Sequence, residues 1–476
     1  MSIRTLRASI LVIAMASILR SQGDKVFVFE HVNVVPMTRN VVLPDVSVVV
    51  RNGRVEQMGA PATVKAPKSA IKIDARNKYL IPALSDMHVH LEGQPWNIMF
   101  PKAKAFSEAE IDFRDILFLY LANGITTIDV MFAFPEHLAL RERIRKQELL
   151  GPRMVLSRMI DGAGKAWPPP LGVWIHNPRE AEDAVMEAHQ QGYDRIKVYS
   201  FLDLPSYDAI IRTAKTLNMP VDGHIPFAVP VEHVIASGQG MVAHIEEFMK
   251  ASKGSDPETI RRYASLAAAS HTYVTATLVT SKDINAVLKD PVGEFSKPGT
   301  AFLHPMGLGI WNYVYLNLYR PMPEKSRQYL SEGYESFIKP FAREFHLRGG
   351  KLLSGTDASP IPSILPGFAL HEELEELVAT GLSPYEALRV STTNAHDFLG
   401  ERAVAGTIET GKVANLVLLD GNPLEKISNT RKILGVMTQN RWLSQADIQG
   451  RMAEIKASYA ALKARKGIQP LVADPQ

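Results

Sequence analysis

From residue 24 to 82 apolar positions gather in short β-rich runs separated by polar turn residues, as in "KVFVFEHVNVVPM", "VSVVVRNGRVEQMG" and "IKIDARN". Such runs, broken by Asn52-Gly53 and other turn residues, predict β-strands. The pattern then changes. Short apolar strands ("LSDMHVHL", "TTIDVM", "RMVLSRM", "RIKVYS", "PVDGHI", "GMVAHIEEF", "TYVTATLV", "KLLSGTD") alternate with runs of helical spacing such as "FRDILFLYLANG", "REAEDAVMEAHQQG" and "PSYDAIIRTAKTLN". Several of the helical runs end on Gly, and "SPYEALRV" opens with a capping box, Ser383 to Glu386, with Pro384 at the first helical position. Eight strands alternating with helices over roughly 320 residues predict a (β/α)8 TIM barrel with insertions. A doubly wound open sheet is the alternative, but no G-x-G-x-x-G or P-loop follows the first strand.

The same β-rich character returns in "AGTIETGKVANLVLLDG" and "KILGVMTQNRWL". Two β-rich segments bracketing the barrel predict a small β-sandwich built from both chain ends. The expected division is 24–82 with 405–445 as the sandwich, 83–404 as the barrel, and 446–476 as a C-terminal helix and tail. Residues 281–340 show little strand pattern and many aromatics and prolines, and are expected to form a lid over strand seven. Residues 1–23 pair a basic start, "MSIRTLR", with a short apolar run, "ASILVIAMASIL". That is the layout of a signal peptide, and the run is too short to span a bilayer. A periplasmic or secreted location is expected, or a cytoplasmic one if this segment is not a signal, with no stable membrane anchor.

Composition adds exclusions. The chain has 476 residues, 46% hydrophobic and 22% charged, with a net charge of +3, so nothing favours nucleic acid as a partner. It contains no cysteine, which rules out disulfides and thiolate metal sites but decides nothing about compartment.

Chemistry in such barrels sits at the C-terminal ends of the strands. Those ends carry His88 and His90 on strand one, Lys197 on strand four, His224 on strand five, His244 on strand six and Asp357 on strand eight. His88 and His90, at i and i+2, share one strand face, and imidazole is the commonest metal ligand. Each residue alone has a bland reading as a cap, a loop contact or a satisfied core group. Six metal-competent groups at the correct ends favour a metal site.

The motifs "DMHVHL", "NGITTIDVM", "LLGPRMVLS", "YDRIKVYS", "GHIPFAV", "VAHIEEF", "LLSGTDAS", "GLSPYEALRVSTTNAHDFLG" and "GTIETGKVANLVLLDGNPLEKI" resemble those of the amidohydrolase superfamily. Within it the chain most resembles the branch of imidazolonepropionase-like and Xaa-Pro dipeptidase-like enzymes. One departure is Ala83 in "PALSD", where the resemblance leads one to expect glycine. The resemblance implies a binuclear centre of two divalent ions, with His88 and His90 on the inner metal and His224 and His244 on the outer. Lys197 would bridge both as a carbamate formed with carbon dioxide, and Asp357 would bind the inner ion. Ligands of nitrogen and oxygen suit zinc, with manganese, iron and cobalt as alternatives.

The implied reaction is cleavage of an amide bond by a metal-bound hydroxide, with Asp357 moving the proton. Tyr199, two residues beyond Lys197, is a candidate oxyanion donor; His176, Arg158 and His371 are weaker candidates for the barrel mouth. Substrates of this kind are N-acyl amino acids, dipeptides or cyclic amides. The aromatic character of 281–340 favours a bulky, partly apolar small molecule or short peptide. The alternatives are an esterase, lactonase or phosphotriesterase on the same centre, or an inactive binding protein on the same fold. A homo-oligomer is compatible with the sequence.

Overall fold

The computed structural model describes residues 25–164, 167–252 and 254–471. The segment expected to direct export lies outside the described residues. No helix among the described residues is long and apolar enough to cross a membrane.

Eight parallel strands form the barrel: Leu84–Val89, Ile125–Val130, Arg153–Gly162, Arg195–Val198, Val221–Gly223, Met241–Ala243, Tyr273–Thr275 and Leu352–Leu353. They follow one another in sequence order around the sheet, and short contacts close it. Met87 N–H donates to Ser354 O at 2.8 Å, and Asp357 N–H donates to His88 O at 2.8 Å. Every residue of strand one is buried, as expected of a parallel strand covered on both faces. The seventh strand is shorter than "TYVTATLV" predicts, because Thr277 adopts a left-handed φ of 45° and a helix begins at Leu278.

The helices between strands start where their caps dictate. Asn177, Asp203 and Asp256 each accept a hydrogen bond from a first-turn N–H, and each precedes a helix with proline in its first two positions. The Ser383–Glu386 capping box forms with Pro384 as the first helical residue. Helix Pro178–Gln191 stops at Gly192, whose φ of 87° gives the chain a left-handed exit.

Strands from the two chain ends meet as the sequence pattern requires. Val26–Val34, Leu43–Arg51, Arg54–Gly59, Ile71–Asp74 and Tyr79–Pro82 join Leu416–Leu419, Ile433–Thr438 and Arg441–Ser444. The junction is antiparallel, Leu418 opposite Leu80. These strands wrap a separate core that includes Phe27, Phe29, Val48, Leu416 and Met437, giving the small β-sandwich. The segment between strands seven and eight is helical, with helices Leu278–Lys289, Pro291–Phe295, Pro305–Val314, Glu324–Gly333 and Lys339–Leu347. The last long helix, Gln445–Lys466, begins on a Ser444–Asp447 capping box and ends at Gly467, φ 60°.

Candidate metal centre

The six residues singled out at the strand ends converge on one buried space. His88 and His90 leave the end of strand one. Asp357 comes from the loop four residues beyond strand eight, whose pairing with strand one brings it back over the histidines. His90 Nε2 lies 2.8 Å and His88 Nε2 3.4 Å from Asp357 Oδ1. His88, His90 and Asp357 offer donor atoms all within 4.8 Å of one another. His244 Nε2 is 4.0 Å from Asp357 Oδ2, and the His88 and His244 rings are 4.4 Å apart. Lys197, buried in strand four, places Nζ 3.2 Å from His88 Nε2. His224, directly after strand five, sits 5.2 Å from the His244 ring, and its Nε2 is buried without a hydrogen-bond partner among the described residues.

Two of these groups sit on unusual backbone. Asp357 has φ 59° and His244 φ 76°, a left-handed region that costs a side-chain-bearing residue free energy and recurs where a site demands it. The cost is tolerated because these bends turn both side chains from the strand ends into the mouth.

The electrostatics favour neutral imidazoles. Burial, followed by the charge of Lys197, holds His88 and His224 well below the usual histidine range; burial lowers His90 as well and takes His244 down to about 4. Burial also brings the Lys197 amine down to about 8. For Asp357 burial opposes ionisation. The hydrogen bond from His90 and the proximity of the His244 and Lys197 side chains outweigh it and hold the carboxyl below its ordinary value. A set of neutral imidazoles around an ionised carboxylate is the protonation state in which such groups ligate a cation.

The partners behind the histidines were not legible in the sequence. His244 Nδ1 meets Thr277 Oγ1 at 2.9 Å. His224 Nδ1 meets Ser200 Oγ at 2.9 Å and Glu247 Oε1 at 3.2 Å. Behind strand one, Asp86 accepts from Thr356 N–H at 3.0 Å and from Thr356 Oγ1–H at 2.7 Å, tying the strand that carries His88 to the loop that carries Asp357. None of Glu247, Ser200 and Thr277 is singled out in the sequence; the place of Glu247 three residues after His244 is a spacing that could have found it, and Ser200 and Thr277 have no such signal.

A cavity of about 170 Å³ opens onto these groups, lined on one side by Trp96, Phe132, Met159, Trp167 and Tyr199. The Trp96 and Trp167 rings meet edge-on at 5.7 Å, and Phe132 meets His90 edge-on at 5.8 Å. Tyr199 stacks on His224 at 4.1 Å, and its hydroxyl accepts from Trp167 Nε1–H at 3.3 Å. Glu246, Lys250, Thr280 and Ile284 also line the cavity, the last two from the helical segment after strand seven. The weaker candidates fall elsewhere. His176 pairs with Glu180 at the surface, Arg158 lies over the Tyr193 ring, and His371 is buried against Thr430.

A family model described as the amidohydrolase family matches residues 79–451. No curated protein matches the chain. Among solved structures, a Xaa-Pro dipeptidase with bound methionine in its active site is 20% identical with a TM-score of 0.66, covering 89% of this chain and 100% of the other. Bottromycin amidohydrolase is 20% identical with a TM-score of 0.67, covering 94% of each chain. Molinate hydrolase is 16% identical with a TM-score of 0.66, covering 90% of this chain and 95% of its own. At such identities the structural likeness establishes the fold, and the family match carries the assignment: the chain belongs to the amidohydrolase family.

Proposed function

We propose that this protein is a metal-dependent hydrolase of amide bonds in small molecules or short peptides, of the Xaa-Pro dipeptidase-like kind. The single observation that carries the reading is the convergence of four imidazoles, one carboxylate and one buried lysine at the mouth of the barrel. The donor set fits divalent cations. It is nitrogen and oxygen throughout, and the buried Nε2 of His224 has no partner among the described residues. His88, His90 and Asp357 would hold one ion, His224 and His244 a second, and Lys197, as a carbamate, would bridge them. An amine brought down to about 8 by burial is neutral in about a tenth of molecules at pH 7, far more than an exposed lysine, and the neutral form is the one that adds carbon dioxide and releases a proton. Zinc is the first choice for such a set.

Bound divalent ions supply Lewis acidity, which polarises the scissile carbonyl and acidifies water. The chain's own groups do the rest. The Asp357 carboxylate accepts the proton of the attacking water and returns it to the leaving amine. The Tyr199 hydroxyl, which burial raises to about 12, keeps its proton and donates it in a hydrogen bond to the developing oxyanion. Trp96, Phe132 and Trp167 exclude water and receive an apolar ring or side chain; the partly apolar substrate expected from the sequence rests on residues 281–340, of which Ile284 lines the cavity. A cavity of about 170 Å³ leaves room for one residue-sized group next to the reacting bond. Export to the periplasm, read from residues 1–23, belongs to the same proposal: native protein beginning near residue 24 supports it, and recovery of Met1 refutes it.

The test combines elemental analysis with a panel of amide, ester, lactone and phosphotriester substrates. Up to two divalent ions per chain, amide turnover lost on chelation and turnover restored by added metal are the expected results. Full turnover by protein shown to be metal-free refutes the reading. Turnover confined to esters, lactones or phosphotriesters would move the chemistry to those bonds on the same centre.

A further inference from the structure

Two tryptophans of the aromatic wall use their indole N–H groups differently. Trp96, 2% exposed, donates to Leu91 O at 3.2 Å, a bond that fixes its ring to the loop after strand one. Trp167 donates instead to the Tyr199 hydroxyl, at 3.3 Å. Its ring stands 5.7 Å from Trp96 and 6.4 Å from Phe132. The loop that carries it is pinned at its base, where Ala163 N–H donates to Ile175 O at 3.0 Å. Farther along, the Trp167 carbonyl packs so close to Gly172 that a Cβ there would lie 2.7 Å from its oxygen.

An indole nitrogen only donates, so in this bond the Tyr199 oxygen is the acceptor. A phenol oxygen carries one proton, which must then turn away from Trp167. The Tyr199 ring is itself held, stacked on His224 at 4.1 Å with Lys197 Nζ 5.5 Å from its centroid. Burial raises the hydroxyl to about 12 and so keeps its proton in place. The direction of the O–H is the freedom left to this side chain, and the cavity that Tyr199 lines is where it can point. We propose that Trp167 is a positioning residue: by donating to the Tyr199 oxygen it turns the Tyr199 proton into the cavity, toward the carbonyl oxygen of the bond being cleaved. The inference rests on the hydrolase reading above and deepens it, because the same indole belongs to the wall that receives an apolar group. A substrate ring seated against Trp167 holds the N–H where Tyr199 needs it, so substrate choice and oxyanion donation meet in one side chain.

The chain has five tryptophans, so the indole N–H signals of nitrogen-15-labelled full-length protein are few enough to separate. The Trp167 signal is the one lost in Trp167→Phe. Tyr199→Phe keeps the phenyl ring and removes the acceptor; it should move the Trp167 indole proton upfield and speed its exchange with water. Turnover is then read with zinc-loaded protein on phenylalanyl-proline and glycyl-proline. Trp167→Phe should lower kcat about 3- to 10-fold, the worth of one hydrogen bond. KM for phenylalanyl-proline should stay within about twofold, because a ring remains in the wall and only the transition state loses a contact. Tyr199→Phe should lower kcat about 100-fold, and in that background Trp167→Phe should cost nothing further. A residue that merely packs would cost the same in both backgrounds. Thermal melts confirm that each variant is folded.

A Trp167 indole signal that does not move in Tyr199→Phe overturns the proposal. Where Trp167→Phe fails to fold, Trp167→Tyr identifies the signal and the same readout decides. Equal losses from Trp167→Phe with and without the Tyr199 hydroxyl, or a raised KM with unchanged kcat, overturn it as well. Wild-type protein that cleaves neither dipeptide counts against the Xaa-Pro dipeptidase-like reading instead, and the indole signal still decides whether Trp167 orients Tyr199.

Discussion

Gly355, in the loop between strand eight and Asp357, is the position where one added methyl group should do most damage for its size. A Cβ at this residue would lie 2.4 Å from Thr275 Cγ2 and 2.7 Å from His88 Cβ. Carbon atoms in contact prefer a separation of about 3.5–4.0 Å, so both approaches fall short by about 1 Å. Thr275 can turn its methyl away. His88 cannot, because its Cβ moves only with the backbone of strand one, which is paired on both sides. Overpacking of this kind costs about 1–3 kcal/mol. Functional geometry tolerates about 0.5 Å, and a misplacement of about 1 Å can cost about a hundredfold in rate. Gly355→Ala should therefore lower the melting temperature modestly, weaken metal binding and reduce amide turnover by about two orders of magnitude. The assay compares melting, metal content and kcat with those of Gly450→Ala, where an added Cβ meets nothing within 4 Å. Wild-type metal content and turnover in Gly355→Ala would show that strand eight does not press on His88 and refute the reasoning.

Lys197→Ala should lose at least one metal ion and most turnover while keeping the fold, and formate or acetate should restore part of both by replacing the missing oxygens. Lys197→Arg should not be rescued, since the guanidinium stays charged and fills the site; wild-type metal content in Lys197→Ala would remove the lysine from the ligand set. Burial raises the Glu373 carboxyl from 4.5 to about 8. Between those values the unfolded chain releases a proton that the folded chain keeps, so stability is full below the lower value and is lost as pH rises through the upper one. Glu373→Gln should shrink the drop in melting temperature between pH 5 and pH 8, and an unchanged drop would exclude Glu373 as its source. Ser383→Ala removes the hydroxyl that accepts from Glu386 N–H, and should cost about 1 kcal/mol in a denaturation series without altering turnover.

Much of this molecule is legible in the order of its residues. β-rich runs at both ends and strand–helix alternation between them point to a sandwich and a barrel, because the pattern of apolar residues is set by what each element must bury. The helix cap at Ser383 is local chemistry and was equally visible, and those at Asn177, Asp203 and Asp256 follow the same local rule although they are not singled out in the sequence. The pairing of His88 with His90 was visible too, since an i, i+2 spacing on a strand needs no tertiary information. So was the convergence of Lys197, His224, His244 and Asp357, because a barrel gathers the C-terminal ends of its strands at one mouth.

What surrounds those groups was decided only when the chain closed. The left-handed turns at His244 and Asp357 give no sequence signal, since neither residue is glycine. Ser200 and Glu247 become partners of His224 from different strand ends, and Trp96, Phe132 and Trp167 form one wall although 71 positions separate the first from the last. Nor does composition reveal that Lys197 is lowered to about 8 or Glu373 raised to about 8; removal from water does that, and burial depends on the packed whole. Periodicity and capping act over one or two turns of chain and are written in the order of residues. Hydrogen-bond partners, proton affinity and cavity shape depend on which distant groups come into contact, and only the closed barrel determines that.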